Sequence, residues 1–274
     1  MITAAELHRA ANAEGLRFDQ AEKDYVIVWL LFGLSQAELS PKGWTFKGGT
    51  CLRHCYYPGY RFSEDIDFTC AADPRNPEAA RISLDKVAAW VIGASGILLE
   101  SSVPRTIPGD FQVEIPVEYT RGGPRRRGLP SVRVHLTFDE PILTEVVPRP
   151  VRARFSDLSE FQVAAYSKRE IVAEKMRALL QQQKKWPRPR DLYDLWYILC
   201  QSGERFDPAE LRMLFIEKCR ARQIEPDVVS LVSEDLKGWN REAWGNQLGP
   251  MMKSLPDLDM VWGEWVATAR EIFR

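Results

Sequence analysis

Apolar positions recur at helical spacing over residues 3–13 and again, more densely, over 20–37. The longest apolar run, Tyr25–Leu34, is about half the length a membrane span requires, so it predicts a buried helix. Ser40-Pro41-Lys42-Gly43 breaks the pattern. Trp44-Thr45-Phe46-Lys47 then reads as a short strand running into the glycine turn Gly48-Gly49. Thr50–Tyr57 reads as a helix ended by Pro58-Gly59, Asp65–Cys70 as a strand, and 77–95 as a helix. Clean alternation predicts strands over 110–119 and 131–140, with Phe111, Val113, Ile115, Val117 and Tyr119 sharing one face. Pro116 marks the first of these as an edge strand or a bulge.

From about Ser159 onward the period is helical, over 168–184, 191–202, 208–222, 225–237, 240–253 and 258–273. The expected fold is α+β. A mixed sheet with flanking helices fills 1–150, and a C-terminal helical bundle fills 151–274. No internal repeat or low-complexity tract interrupts either half.

Composition narrows the class of function. The chain has 274 residues, of which 45% are hydrophobic and 27% charged, with a formal net charge of -1. Such a chain is not a polyelectrolyte binder overall, so any nucleic-acid contact must come from local patches. Two basic stretches qualify: Arg121–Arg127, and Lys184–Arg190 with Trp186, whose ring could stack on a base. The cysteines, Cys51, Cys55, Cys70, Cys200 and Cys219, are odd in number and scattered. With no signal-like leader, they suggest a reducing, cytoplasmic setting. Cys51, His54 and Cys55 lack a second ligand pair at zinc-site spacing, so buried or half-buried thiols are expected there.

The densest chemistry lies in Phe46–Phe68. Asp65 and Asp67 flank Ile66 on a strand, so both carboxylates point the same way while Ile66 and Phe68 point to the core. Like charges about 7 Å apart on one strand face repel unless a cation bridges them. Mg²⁺, a hard oxygen-seeking ion held by one or two carboxylates plus substrate phosphates, fits that need. Upstream, Gly48-Gly49-Thr50 sits where a strand meets a helix start, allowing close backbone approach to an anion. Turn and aspartates together describe a phosphate–metal site.

A turn of this kind, a helix, and Asp-x-Asp on the next strand resemble the nucleotidyltransferase superfamily. More narrowly, Lys47-Gly48-Gly49-Thr50 and Arg61-Phe62-Ser63-Glu64-Asp65-Ile66-Asp67-Phe68 resemble the first motif of AbiEii/AbiGii-type (MenT-like) nucleotidyltransferase toxins.

Two later blocks agree. At about 100° per residue, Lys175 falls between Ile171 and Leu179 inside an apolar stripe, where a lysine either snorkels or serves a site. Near a triphosphate, a cation aimed at phosphate oxygens is the sharper reading. Asp191 and Asp194 form a helix-start pattern, and Arg190 could pair with either carboxylate or with phosphate. Glu174-Lys175-Met176-Arg177-Ala178-Leu179 and Arg190-Asp191-Leu192-Tyr193-Asp194-Leu195 resemble the family's later motifs. The resemblance spans roughly 45–200 in three ordered blocks, and the last seventy or so residues carry no recognised motif.

The resemblance implies an N-terminal nucleotidyltransferase-type domain and a helical domain completing the active site. It implies a Mg²⁺-dependent enzyme moving a nucleoside monophosphate from NTP to an RNA acceptor, tRNA in particular, with a neutralising antitoxin and no membrane role. Asp65 and Asp67 would hold the metal. Lys47, Gly48, Gly49, Thr50, Arg61, Ser63, Lys175 and Arg190 would line the nucleotide, and Asp191 or, by preference, Asp194 would complete the site. The chain departs from the pattern at a third carboxylate on a later strand. Arg133-Val134-His135-Leu136-Thr137 places His135 there, and Glu114 and Glu118 are the possible substitutes. Competing readings are a transferase acting on a small molecule such as an aminoglycoside, and a non-catalytic RNA-binding module.

Overall fold

The computed structural model describes residues 1–70, 76–106, 112–121, 128–138, 140–152, 154–182 and 185–274. The chain forms two compact units, Met1–Tyr166 and Ser167–Arg274. Phe111, Lys184 and most of the basic stretch 121–127 lie outside the described residues.

The first unit is built on one mixed sheet. Its strands are β1 (Trp44–Lys47), β2 (Asp65–Cys70), β3 (Leu98–Ser101), β4 (Arg105–Thr106), β5 (Gln112–Thr120), β6 (Ser131–Phe138), β7 (Val147–Val151) and β8 (Phe161–Ala165). Their order is β3-β5-β6-β2-β1-β8-β7, with β4 also pairing β5. The β2–β6 and β1–β8 pairs are parallel, and the others antiparallel. Phe46, Ile66, Phe68, Val113, Ile115, Val134 and Leu136 are buried and lie on neighbouring register positions, which makes one face of the sheet apolar. The apolar α2 (Phe18–Leu34) and α4 (Pro77–Ser95) pack on it, α1 (Ala4–Glu14) packs on α2, and α2 is buried along most of its length. Because strand side chains alternate, residues such as Asp65 and Asp67 are left on the opposite, open face.

Pro116 is not on an edge, for β5 pairs β6 on one side and β3 and β4 on the other. Its missing N–H falls in the gap between those two short strands, where its carbonyl still accepts from Ser102 N at 2.8 Å. Strands β3, β4, β7 and β8 have no counterpart in the sequence reading. Pro148 and Pro150 argue against a strand, yet β7 is the sheet's edge, where proline is tolerated.

The second unit is helical: α5 (Lys168–Leu180), α6 (Pro189–Trp196), α7 (Pro208–Ala221), α8 (Val228–Leu231), α9 (Glu234–Ala243) and α10 (Leu258–Ile272). Ser167 caps α5 by accepting from Glu170 N at 3.2 Å. Helix α5 packs on α6 and α7, and α10 closes over α6 and α7. A fully buried ion pair, Lys218 Nζ to Glu170 Oε1 at 2.6 Å, joins α5 to α7. Among the described residues no helix is long and apolar enough to cross a membrane.

Candidate active site

Strand β1 ends in a turn that only glycine accommodates. Gly48 has φ +78, and a Cβ there would lie 2.3 Å from Asp67 Oδ2. A Cβ on Gly49 would lie 2.7 Å from Arg61 Nη2 and 3.0 Å from Ser63 Oγ. The bare glycine backbone thus meets the aspartate, the arginine and the serine at contact distance. A short helix, α3 (Gly48–Cys51), follows and runs into a π turn over Leu52–Tyr56. The Thr50 hydroxyl lies 2.9 Å from Ser63 Oγ and also donates to the Asp65 carbonyl, which ties the turn to β2. Lys47 is buried, its Nζ 5.7 Å above the Tyr166 ring. Arg61 is buried and donates to the Phe62 carbonyl at 3.2 Å.

The turn is held from behind by a buried charge network. Arg53 donates from Nε to Asp24 Oδ1 at 3.0 Å, from Nη1 to Tyr60 O at 2.6 Å, and from Nη2 to Glu14 Oε2 at 3.1 Å. His54 Nε2 lies 3.3 Å from Asp24 Oδ1. Burial alone would push the Asp24 carboxyl up, but Arg53 and then His54 outweigh it and hold it far below the usual range.

Asp65 and Asp67 stand half-buried on the open face, and β6 supplies a partner for each. Arg133 takes Asp65 with both arms, Nε to Oδ1 at 2.8 Å and Nη2 to Oδ2 at 3.2 Å. His135 places Nδ1 3.1 Å from Asp67 Oδ1 and Nε2 3.3 Å from Glu114 Oε2. Burial, and then the Asp67 charge, push Asp65 above the usual carboxylate value. Burial disfavours the His135 cation, but the bond to Asp67 and the surrounding carboxylates outweigh it and raise its pKa to about 9. Glu118 faces Ser131 and Glu100, away from Asp67, so of the three candidates for a third acid only His135 and Glu114 share its row.

In the second unit, Lys175 is buried and bridges Asp191 Oδ1 at 2.7 Å and Asp194 Oδ2 at 2.6 Å. Arg188, rather than Arg190, pairs with Asp191, at 3.3 Å. Burial pushes Asp191 up, but Lys175 and then Arg188 outweigh it and hold the carboxyl below its usual value. The apolar-stripe position of Lys175 therefore has a physical cause: its ammonium is neutralised inside the unit by two carboxylates one helical turn apart.

Among the described residues no three of His, Cys, Asp and Glu are grouped to hold a metal ion. Asp65 and Asp67 present carboxylate oxygens on the open face, the hard type that suits a divalent cation beside phosphates. The sequence pattern did not single out Arg133. Its signal was available, since Arg133 and His135 alternate on β6 as Asp65 and Asp67 do on β2.

The family model for the nucleotidyl transferase AbiEii toxin of type IV toxin–antitoxin systems matches residues 29–270. The chain belongs to this family. AbiEii membership makes the protein a nucleotidyltransferase and the toxin half of a toxin–antitoxin pair, and it implies an antitoxin as partner. A solved structure of similar fold is MenT4, a nucleotidyltransferase toxin from Mycobacterium tuberculosis H37Rv. Identity to it is 21%, with 100% of this chain and 89% of that chain covered and a TM-score of 0.64. At that identity the likeness bears on the fold, and the mixed sheet with flanking helices agrees with it. No curated protein matches the chain.

Gly48 gives a direct test of the candidate site. Gly48→Ala is expected to lower transfer by about 10²-fold, because its Cβ must displace Asp67. Gly59→Ala has nearly the same φ, +76, and nothing within 4 Å, so it carries backbone strain alone and is expected to keep activity within a few-fold. Equal loss in both variants, measured as kcat/KM, would show that strain rather than Asp67 placement matters.

Proposed function

We propose that this AbiEii-family toxin transfers a nucleoside monophosphate from an NTP to an RNA acceptor, of the tRNA class, with Mg²⁺. The observation that carries the reading is that Asp67 fills the space a Cβ on Gly48 would need, which sets a bare glycine turn beside the Asp65–Asp67 strand. Gly48, Gly49, Thr50 and Ser63 line the phosphates, and Lys47 and Arg61 offset their charge. Asp65 and Asp67 would hold a divalent ion, Mg²⁺ in this reading, which supplies charge neutralisation at the triphosphate when bound. The acceptor hydroxyl oxygen forms a bond to the α-phosphorus as the bond to the bridging oxygen breaks. Pyrophosphate leaves, and the hydroxyl proton passes to a base. Positioning and electrostatics supply most of the rate. On the family pattern, Lys175, Asp191, Asp194 and Arg190 act in the same reaction. The setting is cytoplasmic, and the antitoxin holds the activity in check.

The test is incubation with total cellular RNA, Mg²⁺ and each α-labelled NTP in turn, beside an Asp65→Ala control. A labelled RNA band that vanishes in the control is expected, and its size class reports the acceptor. No label on RNA with any NTP would overturn the RNA reading, and label on a small hydroxylated compound instead would identify a small-molecule transferase.

The acceptor reading also predicts a role for Trp186, which is 66% exposed with Lys185 Nζ 5.5 Å over its ring. Trp186→Ala is expected to weaken RNA binding about tenfold through lost base stacking. The KM for NTP should stay unchanged. Filter binding at fixed salt reads the first and steady-state kinetics the second. Unchanged RNA affinity would mark the ring as an ordinary surface residue.

A further inference from the structure

Five ionisable side chains form one row across the open face of the sheet. Lys47 on β1 is in register with Asp67 on β2, Asp67 with His135 on β6, His135 with Glu114 on β5, and Glu114 with Arg105 on β4. Acidic and basic residues alternate along it. The row is joined by contacts of 3.1 Å from Asp67 to His135, 3.3 Å from His135 to Glu114 and 3.7 Å from Glu114 to Arg105. In the adjacent row Asp65 is in register with Arg133. Every carboxylate on this part of the face therefore has a basic partner from the next strand.

We propose that His135, held between Asp67 and Glu114, keeps one Asp67 oxygen from bridging a second divalent ion, so that the site works with one ion per bound nucleotide. The inference rests on the metal-dependent reading of Asp65 and Asp67 given above. A two-ion site needs carboxylate oxygens free to bridge ions about 3.5–4 Å apart. Here both oxygens of Asp65 bond to Arg133 and one oxygen of Asp67 bonds to His135. The two partners differ in their freedom to yield. The Arg133 side chain is 44% exposed on a long stem, so an incoming ion can displace its fork from Asp65. The His135 side chain is 18% exposed with both ring nitrogens on carboxylates, so leaving Asp67 would break its contact with Glu114 as well. One ion enters by replacing Arg133. His135 stays and occupies the place from which a third carboxylate would hold another ion.

The experiment counts ions rather than turnover. The full chain, saturated with a non-hydrolysable NTP analogue, is titrated with Mn²⁺ and bound ions are read by electron paramagnetic resonance. One Mn²⁺ per chain is expected for the native protein and two for His135→Asp, which restores an acidic donor at that position. Two ions in the native protein would overturn the inference while leaving the metal-dependent reading intact. So would one ion in a folded His135→Asp. No Mn²⁺ with or without nucleotide would overturn the metal-dependent reading itself, and the inference with it. Arg133→Gln keeps the native His135 and serves if His135→Asp fails to fold. It is expected to tighten Mn²⁺ about fivefold with the count still one, since the ion no longer competes with a partly exposed ion pair. Unchanged or weaker Mn²⁺ affinity in Arg133→Gln would overturn the displacement step.

Discussion

Asp65→Asn is expected to lower nucleotidyl transfer by about 10³-fold or more while leaving the melting temperature unchanged or raised. The two halves of this expectation have one cause. Asp65 and Asp67 share a strand face, and burial and the neighbouring charge together push Asp65 above the usual carboxylate value. A carboxylate held in that state is one the fold tolerates rather than needs. Replacing it with the isosteric amide removes a repulsion from the folded protein. The Arg133 side chain, 44% exposed, stays solvated and is not stranded. Transfer, by contrast, loses one of the two negative charges that would hold the cation beside the triphosphate. Labelled-nucleotide transfer and thermal unfolding of the same preparation separate the two effects. Activity within tenfold of native would remove Asp65 from the machinery. A large fall in melting temperature would make it a structural residue instead.

Asp24→Asn is expected to do the reverse of this, at the protein's folding level. It should cost about 3–5 kcal/mol of stability, because it leaves a buried guanidinium without its main counter-charge. The Arg53 side chain is 1% exposed and that of Asp24 4%, so water cannot replace the lost charge. Glu14, at 3.1 Å from the same guanidinium, is more exposed and offsets only part of the loss. The effect has a pH signature. Arg53 and His54 hold the folded Asp24 far below its unfolded value of about 3.9, so its contribution is complete above that value and is lost as pH falls below it. Urea denaturation of the native chain should therefore show stability falling through the acid range, and Asp24→Asn should show a shallower fall from a lower starting point. A loss under about 1 kcal/mol at neutral pH would mean that Glu14 and water carry the guanidinium unaided. Arg53 also donates to Tyr60 O, between the glycine turn and β2, so activity is expected to fall along with stability.

Much of this architecture was legible because it depends on local repetition. Period-two alternation marked β2, β5 and β6 closely, and helical spacing marked α2, α4, α7 and α10, since each element must bury one continuous face. The short-range chemistry was legible for a related reason. Asp65 and Asp67 share a face whatever the rest of the fold does, and a Gly-Gly turn before a helix permits close approach wherever it occurs. The misses were elements whose local signals conflict with their environment. Strand β7 carries two prolines that only an edge position allows, and β3, β4 and β8 are short runs without a flanking Gly-Gly turn such as the one that marked β1. Pro116 read as an edge signal, but what it needs is a missing neighbour, and the gap between β3 and β4 supplies one without an edge.

The family motifs and the residues that carry them were open to reading along the chain, because they are contiguous runs whose geometry is set within a few residues. Their partners were not. Arg133 meets Asp65 and His135 meets Asp67 only because β6 lies parallel to β2 in one register, and a slip of one residue would turn both basic side chains into the apolar core. Asp24 and Arg53 are 29 positions apart, and their pairing follows from α2 packing behind the glycine turn. Which acids share a strand face was thus set by local spacing. Which charges already neutralise them was decided by strand register and burial, where the cost of an unpaired charge admits few arrangements.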